Sequence, residues 1–377
     1  MDDQALYQRL AKHLDEMPGG FPAAPDDLHL RILRRLFTPD QAELALHTTL
    51  IPEEAKVIAR RAGISEAEAK ERLAQMALDG LLYRMNPRSG QPRYQALQFV
   101  VGIWEFQLNR LTPELARDVE LYFNTMFDTD LWRRAPQLRT IPIGASLEMV
   151  NEVLPYEQAE ELVRQQKRIV VAPCICRKER NLLGEGCDKE LDTCLTFGSS
   201  ADYYRRNGLG REIGVEEALQ ILETANREGL VLQPSNSQKI TNICCCCGDC
   251  CGVLVQLKRH PRPAELVSSA FVAHADTDLC AGCGTCEMRC QMDAISLPEG
   301  VVVLKQERCI GCGLCVTTCE TGALTLQRKP KAQQPDVPGT FTEAMLHLGR
   351  ERGKFGLTDL AKIAIQSKVD RLLALKG

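Results

Sequence analysis

What this 377-residue chain lacks narrows its chemistry before any motif is read. An excess of one charge is missing: 46 Lys and Arg against 50 Asp and Glu leave a net charge of -4, so nothing global marks a polyanion such as nucleic acid as the partner. No apolar run approaches the ~18 residues of a membrane span, which argues against direct membrane insertion and leaves any membrane association to a partner. The opening MDDQALYQRL holds no basic region followed by an apolar stretch, so a secreted disulfide framework is not expected. No P-loop occurs. GLGREIG at residues 208–214 is spaced G-x-G-x-x-x-G without a βαβ context and reads as a loop leading to a helix near Glu216. His260 and His274 stand outside any metal-ligand spacing. Apart from cysteine, no acid, base or nucleophile constellation is present, and no catalytic residue is assigned.

Cysteine is what the chain has in abundance, with eighteen. In a chain long enough for about two to three domains they point to a reducing compartment, and a cytoplasmic location is expected. Eight of them form a doubled run. Cys280, Cys283, Cys286 and Cys290 are spaced C-x2-C-x2-C-x3-C, and Cys309, Cys312, Cys315 and Cys319 repeat that spacing 29 residues later. A [4Fe-4S] cubane takes four thiolates; two-residue spacers let three curl round one cluster while the fourth comes from elsewhere. Zinc's single tetrahedron makes no such demand and usually joins two C-x2-C pairs. Gly282, Gly284, Gly311 and Gly313 sit where a chain wrapping a cluster needs positive φ.

The segment closely resembles bacterial-type two-cluster [4Fe-4S] ferredoxins, and AISL after Cys290 with ALTL after Cys319 extends the internal repeat. The resemblance implies that the last Cys of each run serves the other cluster. Cluster one would take Cys280, Cys283, Cys286 and Cys319; cluster two would take Cys309, Cys312, Cys315 and Cys290. It further implies a ferredoxin-like βαβ-βαβ domain with short strands in residues 267–275, 295–297, 301–304 and 323–326. Family members usually carry Pro after each fourth Cys, where this chain has Gln291 and Glu320.

Toward the N-terminus the pattern is mainly helical. Leu6, Leu10 and Leu14 mark one helix, residues 18–25 a Pro/Gly break and residues 28–37 another helix. Pro52 is expected to open a helix to Arg61, Gly63 to turn, and Ser65 to cap a helix through Leu78 with Glu68 at the capping-box position. Strands are expected at residues 81–83 and 94–101, around a turn-rich loop at 86–92. Residues from about 38 to 101 thereby resemble a winged helix. That resemblance implies DNA binding through the second helix, yet the helix carries Glu66, Glu68, Glu71 and Asp79 against Lys70 and Arg72, a poor surface for phosphates. The loop is more basic, with Arg84, Arg88 and Arg93. Charge favours protein contact over DNA. Pro113 and Pro155 are expected to open further helices, and Trp104, Phe106, Tyr122, Phe123, Phe127 and Trp132 to serve as core or domain interface.

An apolar strand at residues 168–172 leads into a second cysteine region. VAPCICR holds Cys174 and Cys176, and Cys187 and Cys194 follow. After a helix at 215–229 and a strand at 230–233, ICCCCGDCCG supplies Cys244, Cys245, Cys246, Cys247, Cys250 and Cys251. These ten read as two halves of one metal region joined by folding. Consecutive cysteines point in several directions, so six within eight residues are not expected to be inert buried thiols. A further iron-sulfur cluster is the leading reading, with zinc or redox-active thiols as alternatives. Ten ligands suit one cubane with spares, two cubanes or a five-cysteine noncubane cluster. With a single extra cluster, Cys174 and Cys176 would join members of the 244–251 run. Arg177 beside them would favour the more negative, reduced state and raise its potential. The C-C-G element resembles a motif of heterodisulfide reductase subunits, although it occurs once and the remaining spacing differs. The whole pattern also resembles a group of anaerobe ferredoxin-like proteins with added N-terminal domains.

Residues 328–338 read as a Pro/Gln/Lys linker, followed by helices at 342–352 and 358–376. The second is apolar at Leu360, Ile363, Ala364, Val369 and Leu372 and suits docking onto this chain or a partner. The expected fold is thus α+β and multidomain. Residues 1–101 form a helical and winged-helix-like part, 102–265 a helical/αβ cysteine-rich metal-binding part, 266–328 the ferredoxin domain and 329–377 the linker and docking helices. Expected cofactors are two [4Fe-4S] clusters and a third iron-sulfur cluster, with room for a fourth. Expected partners are a redox donor and acceptor in a larger oxidoreductase complex, with DNA disfavoured. The chain reads as an electron-transfer component rather than a stand-alone enzyme; a redox-sensing DNA-binding regulator and a catalytic disulfide-reductase-like subunit are the alternatives.

Overall fold

The structure, a computed structural model, describes residues 3–87, 90–147, 150 and 152–374. It divides into two compact units, one made of Met1–Met126, Arg206–Leu209 and Met345–Gly377, the other of Phe127–Arg205 and Gly210–Ala344. No helix among the described residues is long and apolar enough to cross a membrane.

In the first unit α1 (Asp3–Asp15) buries Leu6, Leu10 and Leu14, and α2 (Leu28–Leu36) follows the Pro/Gly break. A capping box starts α3 (Pro39–Ala45): Thr38 Oγ1 accepts from Gln41 N, and Gln41 Oε1 accepts from Thr38 N. The helix expected from Pro52 begins later. Glu53 and Glu54 instead form β1 (Glu53–Glu54), paired with Tyr94 and Arg93, and α4 (Ala55–Ala62) starts only after them. Ser65 accepts from Glu68 N at 3.2 Å to cap α5 (Glu66–Leu78). A hairpin of β2 (Leu82–Met85) and β3 (Arg93–Ala96) completes a three-stranded sheet of order β1-β3-β2. Its last strand ends at Ala96 rather than Val101, because residues 99–103 wind back on themselves with Ile103 N donating to Gln98 O. Arg88, expected in the loop, lies outside the described residues. Trp104, Phe106 and Tyr122 of α6 (Pro113–Met126) are buried as core.

The second unit opens with α7 (Thr129–Arg134) and α8 (Ala159–Arg164). The chain then runs through β4 (Ile169–Pro173), α9 (Ile175–Leu182), β5 (Asp192–Phe197), α10 (Gly198–Arg206), β6 (Arg211–Ile213), α11 (Val215–Arg227), β7 (Val231–Pro234), β8 (Asn242–Cys246) and α12 (Gly252–Arg259). The strands form one antiparallel sheet of order β6-β4-β5-β8-β7. Phe127 and Trp132 pack with its core. Next come β9 (Phe271–Ala275), α13 (Thr285–Arg289), β10 (Ile295–Ser296), β11 (Val303–Leu304) and β12 (Leu324–Arg328), with β9 paired to β12 and β10 to β11. Only the first half-repeat has a helix; in the second, a single turn forms as Val316 N and Thr317 N both donate to Gly313 O. The expected linker is pinned: Arg328 pairs with buried Glu157 at 2.6 Å, and Lys329 N donates to Ala270 O at 2.8 Å.

Two helices, α14 (Phe341–Glu351) and α15 (Leu357–Leu373), end the described chain; Lys376 lies beyond it. Within the first unit α15 docks by its polar side, not by the apolar face its sequence suggested. Val369 and Leu372 stay 42% and 53% exposed, while Ser367 and Asp370 are buried. The reason is Glu53, whose side chain is fully buried on β1. Arg61 bonds Glu53 and Asp370, each at 2.6 Å, and Ser367 Oγ donates to Glu53 at 2.6 Å.

Candidate metal centres

In the ferredoxin segment two cavities separate the eight cysteines into fours. Cys280, Cys283, Cys286 and Cys319 line one of about 180 Å³; Cys290, Cys309, Cys312 and Cys315 line another of about 20 Å³. Glycine is required where the loops cross other backbone. At Gly282, φ is 68° and a Cβ would stand 2.5 Å from Gly300 O; at Gly311, φ is 72° and a Cβ would strike Phe271 O. Burial pushes the Cys286, Cys309, Cys312 and Cys315 thiols up, Cys312 to about 12. Exposed Cys283 is held down by hydrogen bonds from the Thr285 backbone and side chain. Backbone N–H groups already aim at two sulfurs, Ala273 N at buried Cys309 (3.3 Å) and Ala294 N at half-buried Cys290 (3.2 Å). Thiols whose ionisation burial opposes, yet which receive N–H donors, suit ligation to a cationic iron-sulfur core.

The ten middle cysteines divide into six, three and one. Six thiols neighbour one another in a run, Cys174–Cys176–Cys251–Cys246–Cys244–Cys194, and perturb each other in turn: Cys174, Cys251 and Cys244 are held low by the thiols beside them, while Cys176, Cys246 and Cys194 are pushed up. Strand pairing builds half of this run. Cys194 on β5 lies directly opposite Cys244 on β8, and Cys246 is two residues further on the same face. Helix starts build the rest, since Cys174 and Cys251 are the N-cap residues of α9 and α12. Oriented N–H groups at a helix start favour thiolate. Gln233 and Asn242 add donors, to Cys251 at 3.6 Å and to Cys244 at 3.4 Å.

Cys187, Cys247 and Cys250 form the group of three, with sulfurs all within 4.8 Å of one another. Cys245 stands alone. β8 alternates, so this thiol faces Leu232 and the apolar core, where burial pushes it up. Consecutive cysteines on a strand take two directions, and one of those directions is plain core. The available signal was Ile243, which shares a face with Cys245. Arg177 is fully buried between the groups: Nη1 donates to Cys245 O at 3.1 Å and reaches Cys247 Sγ at 3.9 Å, and Nη2 donates to Thr193 Oγ1.

Gln291, standing where ferredoxins usually have Pro, joins the two cysteine regions. Its Oε1 accepts from Gly248 N at 2.7 Å, in the turn between Cys247 and Cys250, and a Cβ on Gly248 would stand 2.5 Å from Gln291 O. Arg289 reinforces this junction by donating to Asn226 O at 2.6 Å and to Leu314 O at 3.0 Å. Met292, Ile310 and Leu314 of the ferredoxin segment share one core with Cys246, Cys247 and Cys250. Replacing Gln291 by Ala leaves the buried Gly248 N–H without a partner and is expected to cost about 1–3 kcal/mol. Anaerobic denaturant unfolding of the Q291A variant measures it; an unchanged midpoint would show that the junction contributes nothing.

Neither His260 nor His274 belongs to the converging group of three. No curated protein and no solved structure matches the chain significantly. Residues 279–323, however, match the family of 4Fe-4S dicluster domains, over the same eight cysteines that line the two cavities. Through that segment the chain carries an iron-sulfur, ferredoxin-like domain with at least one [4Fe-4S] cluster and a role in electron transfer.

Proposed function

We propose that this chain relays single electrons, as a subunit of a larger oxidoreductase complex, through two [4Fe-4S] clusters in residues 279–323 and a third iron-sulfur centre held by the middle cysteines. The observation that carries the reading is the lining of the cavities. Each is bordered by three cysteines of one run and the fourth of the other, Cys280, Cys283, Cys286 with Cys319, and Cys309, Cys312, Cys315 with Cys290. The third centre is assigned to the chain of six sulfurs, which exceeds the four thiolates a cubane uses. When bound, the clusters supply one-electron chemistry. The protein's part is to hold the thiolates, to donate N–H groups to their sulfurs and to keep both cysteine regions in one rigid core.

The first unit supports a winged helix used for contact with a protein. Its order of helix, strand, helix, helix and hairpin suits that fold, and the cations of α5 are already engaged: Lys70 with Glu66 at 2.6 Å and Arg72 with Glu68 at 2.9 Å. Phosphate binding would have to break these pairs, which favours a redox protein over DNA as partner. Anaerobic iron and sulfide analysis tests the relay. About twelve irons per chain are expected, eight from the ferredoxin segment and four from the middle; about four in total would overturn it.

A further inference from the structure

We propose that Cys187, Cys247 and Cys250 hold a single zinc-class divalent ion, distinct from the iron-sulfur centres, with its fourth coordination position left to a solvent or exogenous ligand. The spacing of the sulfurs carries the argument. Cys187 Sγ lies 3.8 Å from Cys247 Sγ and 3.6 Å from Cys250 Sγ. Three thiolates on one tetrahedral ion, each at about 2.3 Å, stand about 3.8 Å apart. Thiolates on a cubane sit on different irons and are spread wider. The ferredoxin segment provides the comparison: its sulfurs bond to backbone N–H groups, to Thr285 or to Thr321, and none of the eight hydrogen-bonds another. Among the described residues no other three Cys, His, Asp or Glu side chains converge this closely, and no fourth joins these.

Charge points the same way. Arg177 is buried with no carboxylate partner among the described residues, and its Nε has no hydrogen bond. A buried guanidinium is costly without a counter-charge. Three thiolates and a divalent ion sum to -1, which the single charge of Arg177 balances. All-sulfur donors without histidine select zinc over copper(II) or nickel(II). Cys247 and Cys250 are buried, whereas Cys187 is half-buried between exposed Gly186 and Asp188, so solvent reaches the site from its loop. A zinc site with three protein ligands is the open kind rather than the closed structural kind.

This inference does not depend on the number of iron-sulfur clusters, and zinc and iron are read separately. Full-length protein, grown with both metals and purified anaerobically, is expected to carry about one zinc per chain, with a zinc-edge X-ray absorption shell of three sulfurs at about 2.3 Å and one lighter atom. C187S and C250S are expected to lower retained zinc by about tenfold or more while leaving iron and sulfide unchanged. A zinc-free unmodified protein, a shell of four sulfurs, or loss of about four irons on making C187S would each overturn the proposal. The spectrum of the unmodified protein decides the matter even where a variant folds poorly.

Discussion

Replacing Cys246 by Ser is expected to strip about four irons from each chain, whereas the same change at its neighbour Cys245 strips none. The two residues are adjacent in sequence and opposite in role, because β8 sends successive side chains to opposite faces. Cys246 neighbours Cys244 and Cys251 in the middle of the run of six sulfurs, so its loss would break the proposed ligand set at its centre. Cys245 faces Leu232 and packs with Leu195 and Ile243. There a serine hydroxyl loses water without gaining a designed partner, at a cost of about 1–3 kcal/mol that denaturant unfolding would register. Equal iron loss from C245S and C246S would sink the division of the ten cysteines.

Arg177→Met is expected to act on both stability and redox behaviour. The guanidinium is fully buried and donates to Cys245 O and Thr193 Oγ1, and leaving these acceptors without a donor costs about 1–3 kcal/mol. Loss of a positive charge also disfavours the more negative, reduced state of a nearby centre, so its potential falls. At about 6 Å and an effective dielectric constant of about 20 the interaction is ~3 kcal/mol. Since ~1.4 kcal/mol corresponds to ~59 mV for one electron, the shift is on the order of 100 mV. Anaerobic potentiometric titration followed by EPR measures it, with R177K, which keeps the charge, as comparison. A potential unchanged in R177M, or lowered equally in R177K, would remove Arg177 from the electrostatics of the site.

The division of the eight ferredoxin cysteines between two cavities was legible in the sequence because loops of this kind are local, so the spacing of the cysteines along the chain nearly prescribes their arrangement in space. The ten middle cysteines were not. Their grouping depends on β5 pairing with β8 across some fifty residues and on two separated helix starts, Cys174 and Cys251, brought to the same sulfurs. A part of it was available locally, in the alternation of Ile243, Cys244 and Cys245. Glu53 and Glu54 misled for the same non-local reason: their strand exists only through its pairing with Tyr94 and Arg93. The periodicity of α15 pointed to its apolar face, whereas the buried carboxylate of Glu53 selected the polar one. Gln291 was visible as a departure from the ferredoxin pattern, but its partner Gly248 could not be read from the residues around it.

The Arg61 cluster has a consequence for the order in which the molecule is made. A ribosome releases the N-terminal helices first, yet Arg61 receives Asp370, and Glu53 receives the Ser367 hydroxyl, only when α15 has emerged. By then every cysteine of the second unit is already outside the exit tunnel. The second unit can thus fold during synthesis before the first closes, and a ribosome stalled within α15 leaves its defect some three hundred residues upstream, at β1.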